Sequence, residues 1–195
     1  MPMPPGPHLD LLVEAIAVEG DAQRALLDGR AAAARGGFHA AAERYRRSWE
    51  LAPPASYGRL IGMLKAAVIA GDAADAARYT LEQLPAPTDT DSPPACYARA
   101  IALMVLGEGQ AAAACVHGMR AGSPAFVRTA AALAGLGARD GEAYSAALRE
   151  IVSDFEGREA HLTGVPIADT ALMLERLAEP RGLACRPPSP LLPVA

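Results

Sequence analysis

Cys115 and His117 are the first nucleophile and base that the chain sets close together, and a thiol beside an imidazole is the pairing of cysteine-dependent acyl transfer. Their spacing argues against that chemistry, because residues two apart on a helix point to nearly opposite sides. Cys96, expected on the preceding helix, would extend the set to two cysteines and a histidine. No C-x-x-C spacing accompanies it, so packing is the expected role of all three. A denser group of titratable side chains follows in Asp154, Glu156, Glu159, His161 and Asp169, where carboxylates and an imidazole could act as acid and base or hold a metal. They straddle a helix end marked by Gly157 and Gly164, where solvated charges are ordinary, and they are expected to be such a terminus. The short basic run Arg44, Arg46 and Arg47 is interleaved with Glu43 and Glu50 at i, i+4, which reads as a solvated helix face. Trp49, the sole tryptophan, is expected to pack. No metal, cofactor or catalytic set is therefore expected.

The elements that carry these residues are helical. The chain is 51% hydrophobic and only 5% aromatic, so its core must come from helices approaching closely over alanine. A net charge of −4 does not favour nucleic acid. Three cysteines without a framework spacing point to a reducing compartment. The N-terminal MPMPPGPHLD lacks the basic-then-apolar run of a signal peptide, and no stretch approaches the ~18 uninterrupted apolar residues of a membrane span, so a cytoplasmic protein is expected.

Residues 36–54 read G-x-F-x-x-A-x-x-x-Y-x-x-S-W-x-L-x-P, through Gly36, Phe38, Ala41, Tyr45, Ser48, Trp49, Leu51 and Pro53. This is similar to the second helix of a tetratricopeptide repeat. Aligned turn glycines fall at Gly36, Gly71, Gly107 and Gly141, spaced by 35, 36 and 34 residues. The resemblance implies an all-α, TPR-like α-solenoid of about four helical hairpins. Residues 1–9 are expected to be a proline-rich lead, 10–158 the helical-repeat domain, 159–180 a capping helix over the open end of the stack, and 181–195 an extended proline-rich tail. Asp10, Ser56 and Ser123 are expected as helix caps, Gly20-Asp21 as a break in the first helix, and 22–35 as the first helix of the first repeat. Gly29 is expected against Ala41, the separation at which the family brings two small residues together. The proline-rich segment 85–94 is expected to be the longest loop.

A second resemblance lies near the C-terminus. Gly164, Pro166, an alanine- and leucine-rich helix, Gly182 and the closing Ser189-Pro190-Leu191-Leu192-Pro193 are similar to the C-terminal part of the Imm49-type immunity proteins of bacterial polymorphic toxin systems. That resemblance covers about the last 35 residues and implies a non-catalytic protein that neutralises a partner toxin by binding it.

By analogy with the repeat family, the first helix of each hairpin lines a concave groove, with Leu26, Arg30, Ile61, Lys65, Tyr97, Ile101, Met104, Arg128 and Arg139 exposed in it. The lysine and asparagine set with which some members grip a terminal carboxylate is absent. The expected ligand is a protein or peptide segment, helical or extended, that buries apolar side chains, unless the chain's own tail occupies the groove. The alternatives are a peptide-binding adaptor or regulatory scaffold, and a helical enzyme using the Asp154 to Asp169 region.

Overall fold

A computed structural model describes residues 6–86 and 92–193. The tip of the expected loop at 85–94, most of the proline-rich lead and the last two residues lie outside the described residues. Among the described residues there are nine α-helices and no strand: α1 (Pro7–Leu27), α2 (Ala31–Leu51), α3 (Gly58–Ala70), α4 (Ala74–Gln83), α5 (Pro93–Val105), α6 (Gly109–Met119), α7 (Pro124–Ala138), α8 (Gly141–Glu156) and α9 (Asp169–Ala178), the last followed by a 3-10 turn, Glu179–Arg181.

The first helix of every pair closes in the same way. Gly29, Gly71, Gly107 and Arg139 each sit in the left-handed region, with φ of 73°, 86°, 84° and 57°. The residue after each donates its amide back to a carbonyl five positions earlier: Arg30 to Ala25, Asp72 to Ala67, Glu108 to Leu103 and Asp140 to Gly135, at 2.8 to 3.2 Å. This closure satisfies carbonyls that the helix end would otherwise orphan. Gly182 repeats it after α9, with φ of 69° and a bond from the Leu183 amide to the Ala178 carbonyl.

Consecutive helices from α1 to α8 pack on one another, and the first helices also meet each other, α3 with α5 and α5 with α7. Two close crossings show why small residues recur. A Cβ on Gly37 would lie 2.8 Å from the Ala22 Cβ, and one on Gly135 would lie 2.7 Å from the Tyr144 amide nitrogen. Phe38, Leu60, Leu64, Ile101, Leu133, Leu148 and Leu174 fill the fully buried centre.

The first hairpin departs from the expected register. α1 runs unbroken through Gly20 and Asp21, because Gly20 is buried against the Thr163 carbonyl and needs no turn there. The turn falls at Gly29, which is exposed and does not meet Ala41; Gly36 and Gly37 lie inside α2. The expected helix at 22–35 is therefore split between α1 and α2. None of the expected caps makes a side-chain bond to its helix, although Ser123 holds the N-cap position of α7. Asp10 lies in the first turn of α1, the Ser56 hydroxyl donates to the Pro53 carbonyl at 2.7 Å, and Ser123 makes no side-chain cap bond. Asp140 does cap α8, accepting from the Glu142 and Ala143 amides at 3.1 and 3.0 Å.

α9 is not confined to the open end of the array. It packs on α3, α7 and α8, and within it Ala171 to Glu175, Leu177 and Ala178 are all buried. Burial extends round most of the helix, with Arg176 its one exposed residue.

Candidate functional site

The C-terminal segment 159–193 is fastened across the first helices by polar bonds. From α1, Gln23 Oε1 accepts from the Thr163 hydroxyl. From α3, Lys65 Nζ donates to Asp169 Oδ2 at 2.6 Å and to Thr170 Oγ1 at 3.2 Å. The Met104 carbonyl of α5 accepts from Arg181 Nη2 at 2.6 Å. Tyr144 of α8 donates its hydroxyl to Glu175 Oε1 at 2.6 Å. Glu175 in turn accepts from the amides of Cys185 (3.2 Å) and Arg186 (2.6 Å), which ties the tail to α9. The Ala168 amide donates to the Leu191 carbonyl at 2.9 Å, and Leu191 and Leu192 lie half-buried against the core.

Behind Lys65 sits a second layer. Glu19 accepts the Tyr45 hydroxyl at 2.6 Å and the Gln23 amide at 3.4 Å. Burial raises the Glu19 carboxyl above its ordinary value, and the opposing charge of Lys65 only partly offsets it. Burial alone would lower the Lys65 ammonium, but Asp169, Tyr97 and Glu19 together hold it above the ordinary range, so Lys65 is charged. The Tyr97 phenol is pushed up to about 12, first by burial and then by Asp169, against the lowering effect of Lys65. Tyr45 and Tyr144 are raised by burial and by their glutamate partners.

The nine residues expected along an open groove do not share one exposed surface. Tyr97, Ile101 and Met104 are buried in the core, with Tyr97 edge-on to Phe126 at 5.8 Å. Lys65 is held by α9, and Arg128 is ion-paired to Asp154. Leu26 and Ile61 are half-buried, while Arg30 and Arg139 are exposed near helix ends. Lys65 is covered because α9 packs on α3, whereas Tyr97, Ile101 and Met104 are buried because α5 is packed by α3, α4, α6 and α7.

The five titratable residues after α8 also disperse. Asp154 accepts from Arg128 and from Arg158 (2.6 Å), Glu156 accepts the Ser189 hydroxyl at 2.7 Å, and Glu159 is exposed. Asp169 faces Lys65, and His161 stacks on Phe155 with ring centres 6.1 Å apart. Among the described residues no group of three or more metal-ligating side chains converges. His117 is exposed and Cys115 half-buried on the same helix. Trp49 stacks on Tyr57 at 5.8 Å, and the Arg46 guanidinium lies 4.1 Å from the Tyr79 ring centre while pairing with Glu50.

Two clefts among the described residues bear on function. The larger, about 590 Å³, lies between the α1–α2 turn, α9 and the proline tail, with Leu26, Leu172, Leu192, Pro187 and Pro193 as walls and Arg176, Glu179 and Arg186 at its edge. The smaller, about 180 Å³, lies at the N-terminal end of α9, where Lys65, Asp169 and Thr170 meet His161 and Arg158.

Of the nine residues expected in a groove only Leu26 lines this cleft; Leu172, Arg186 and Leu192, which carry no such signal in the sequence, reach it because the tail doubles back on α9. Among the described residues no helix is long and apolar enough to cross a membrane. In comparisons with protein-family models, curated proteins and solved structures, nothing matches the chain.

Proposed function

We propose that this chain is a non-catalytic protein-binding module, a TPR-like solenoid of four hairpins whose concave face is taken by its own C-terminal segment. Its partner surface is then the cleft beside α9 and not the expected groove. The observation that carries this reading is the 590 Å³ cleft itself, which combines apolar walls from three parts of the chain with a charged edge. Such a lining suits an extended segment that inserts bulky apolar side chains between Leu26, Leu172 and Leu192. Arg176 is paired with Glu179 at 3.3 Å, whereas the Arg186 side chain stands at the edge, so an acidic group in the partner complements it.

The likeness of residues 164–193 to immunity proteins favours a toxin as that partner, in a cytoplasmic setting; an adaptor or regulatory scaffold is the other form of the same binding activity. Affinity capture from the native host identifies the partner, and titration by calorimetry then tests the surface. Leu26→Glu and Arg186→Glu are expected to weaken the complex at least tenfold, because one buries an unpaired charge and the other reverses the edge charge. A complex of unchanged affinity in both variants would place the interface elsewhere.

A further inference from the structure

The smaller cleft has the makings of a ligand site, and it shares no lining residue with the larger one. One side is polar and cationic. Lys65 Nζ uses two of its three protons on Asp169 and Thr170, leaving one. Arg158 holds Asp154 through Nε and Nη2 and lies over the Phe155 ring with its guanidinium carbon 3.6 Å from the ring centre, which leaves the protons of Nη1 for a ligand. His161 Nδ1 is buried with no partner, an arrangement that costs stability unless something enters to satisfy it. Asp169, the one carboxylate in the lining, has both oxygens engaged, Oδ2 by Lys65 and Oδ1 by the Thr170 hydroxyl at 3.2 Å. Glu19 lies one layer deeper with both oxygens likewise engaged. Each cation lining the space is thus already ion-paired, Lys65 with Asp169 and Arg158 with Asp154, and what the cleft offers a ligand is spare hydrogen-bond donors rather than surplus charge.

The other side is apolar. Phe155, Val165 and Ile167 are buried in its wall, and Leu162, 76% exposed, stands in its lining with most of its surface in water. Together these four side chains give the cleft an apolar wall opposite its polar one. The size limits what fits: an apolar cavity of about 150 Å³ holds a six-carbon ring, so about 180 Å³ takes roughly six or seven non-hydrogen atoms.

We propose that this cleft binds a small organic monoanion, a carboxylate carried on a short aliphatic body. The carboxylate sits against Lys65, His161 and Arg158, and the aliphatic body lies between Ile167, Val165 and Leu162. Because Gln23, Lys65 and residues 161–170 come from three parts of the chain, ligand binding also strengthens the hold of the C-terminal segment on α1 and α3.

The test is a titration of the full-length protein with sodium butyrate, followed by two-dimensional NMR and by thermal melting, with sodium chloride at matched ionic strength. Butylamine and inorganic phosphate serve as probes of charge and of the aliphatic body. The expected result is saturable shifts at Lys65, His161 and Thr170 with a Kd on the order of 1 mM, a higher melting temperature, and no comparable response to butylamine or phosphate. Leu162→Asp, at an exposed position that leaves the fold intact, is expected to weaken butyrate at least fivefold by placing a like charge beside the ligand. Arg158→Gln is expected to weaken it as well. Non-saturable shifts, an equal response to chloride or butylamine, phosphate binding without butyrate binding, or unchanged affinity in both variants would each overturn the proposal.

Discussion

Replacing Glu175 by alanine removes the hub between α8, α9 and the tail, and the structure sets the size of the effect. The carboxylate accepts from the Tyr144 hydroxyl and the Arg186 amide, both at 2.6 Å, and from the Cys185 amide at 3.2 Å. Cys185 and Arg186 are exposed enough for their amides to find water. Tyr144 is not: it is fully buried, and its hydroxyl would be left without an acceptor. A charge-assisted hydrogen bond contributes about 1.5–3 kcal/mol, and a stranded buried donor costs about 1–3 kcal/mol. These overlap in part, so the expected loss is about 3 kcal/mol, or roughly 6–12 °C in Tm for a chain of this size. Urea denaturation of the parent, Glu175→Ala, Tyr144→Phe and the double variant closes a thermodynamic cycle. The coupling between the two sites is expected to be about 1–3 kcal/mol, because the phenylalanine costs little once the carboxylate is gone. A Glu175→Ala protein within about 0.5 kcal/mol of the parent, or strictly additive losses, would show that this carboxylate does not hold α9 and the tail in place.

Further expectations follow from the same contacts. Lys65→Met leaves Asp169 without its counter-charge at a mostly buried site and is expected to cost about 3 kcal/mol by denaturation. Adding Asp169→Leu should recover much of that loss, since the cost lies in the unpaired charge. Glu19 has a raised carboxyl, so its protonated form stabilises the fold fully below the ordinary carboxyl value of 4.5, and that contribution is lost as pH rises through the folded value. Glu19→Gln should flatten this part of the stability profile. Asp154 shows the opposite sign: burial alone would raise it, but Arg158 and Arg128 hold it below the ordinary carboxylate range. Its contribution is present above its unfolded value near 3.8 and is lost as pH falls further, so Asp154→Asn should reduce the acid sensitivity of Tm. Arg139→Gly, at a left-handed position with φ of 57°, should stabilise the protein by about 1 kcal/mol. A loss of stability there would mean that the Arg139 contact with the Arg181 carbonyl, at 3.4 Å, outweighs the backbone cost.

Much of the helical order could be read from punctuation. Gly71 and Gly107 mark turns because only glycine takes those positive φ values without strain, and Pro93 and Pro124 open helices where an amide is not needed. The first hairpin misled because Gly36-Gly37 and Gly29 offer the same local signal. Gly37 is there to let α2 approach Ala22, whereas Asp28-Gly29, itself a turn-forming dipeptide, makes the turn. The fourth turn rests on Arg139, two residues before Gly141, the glycine expected to mark it, which instead opens α8.

The site was less legible. The apolar stripe of α9, Ala171, Leu174 and Leu177, was readable as a packing face, but its polar residues gave no sign that the other sides are covered too. By contrast, nothing local marks Glu19, Gln23, Lys65, Thr163 or Glu175 as interior. Each is tolerated there only through a partner distant in sequence, such as Thr163 for Gln23 or Asp169 for Lys65.

Hydrogen exchange of the protein alone and with its captured partner tests the central claim most directly. The expected footprint is added protection at residues 26–31 and 172–193, with α9 already as protected as α3 and α5 before the partner arrives. A footprint confined to α4 and α6, or an α9 that exchanges rapidly in the absence of partner and yields its place on binding, would contradict it.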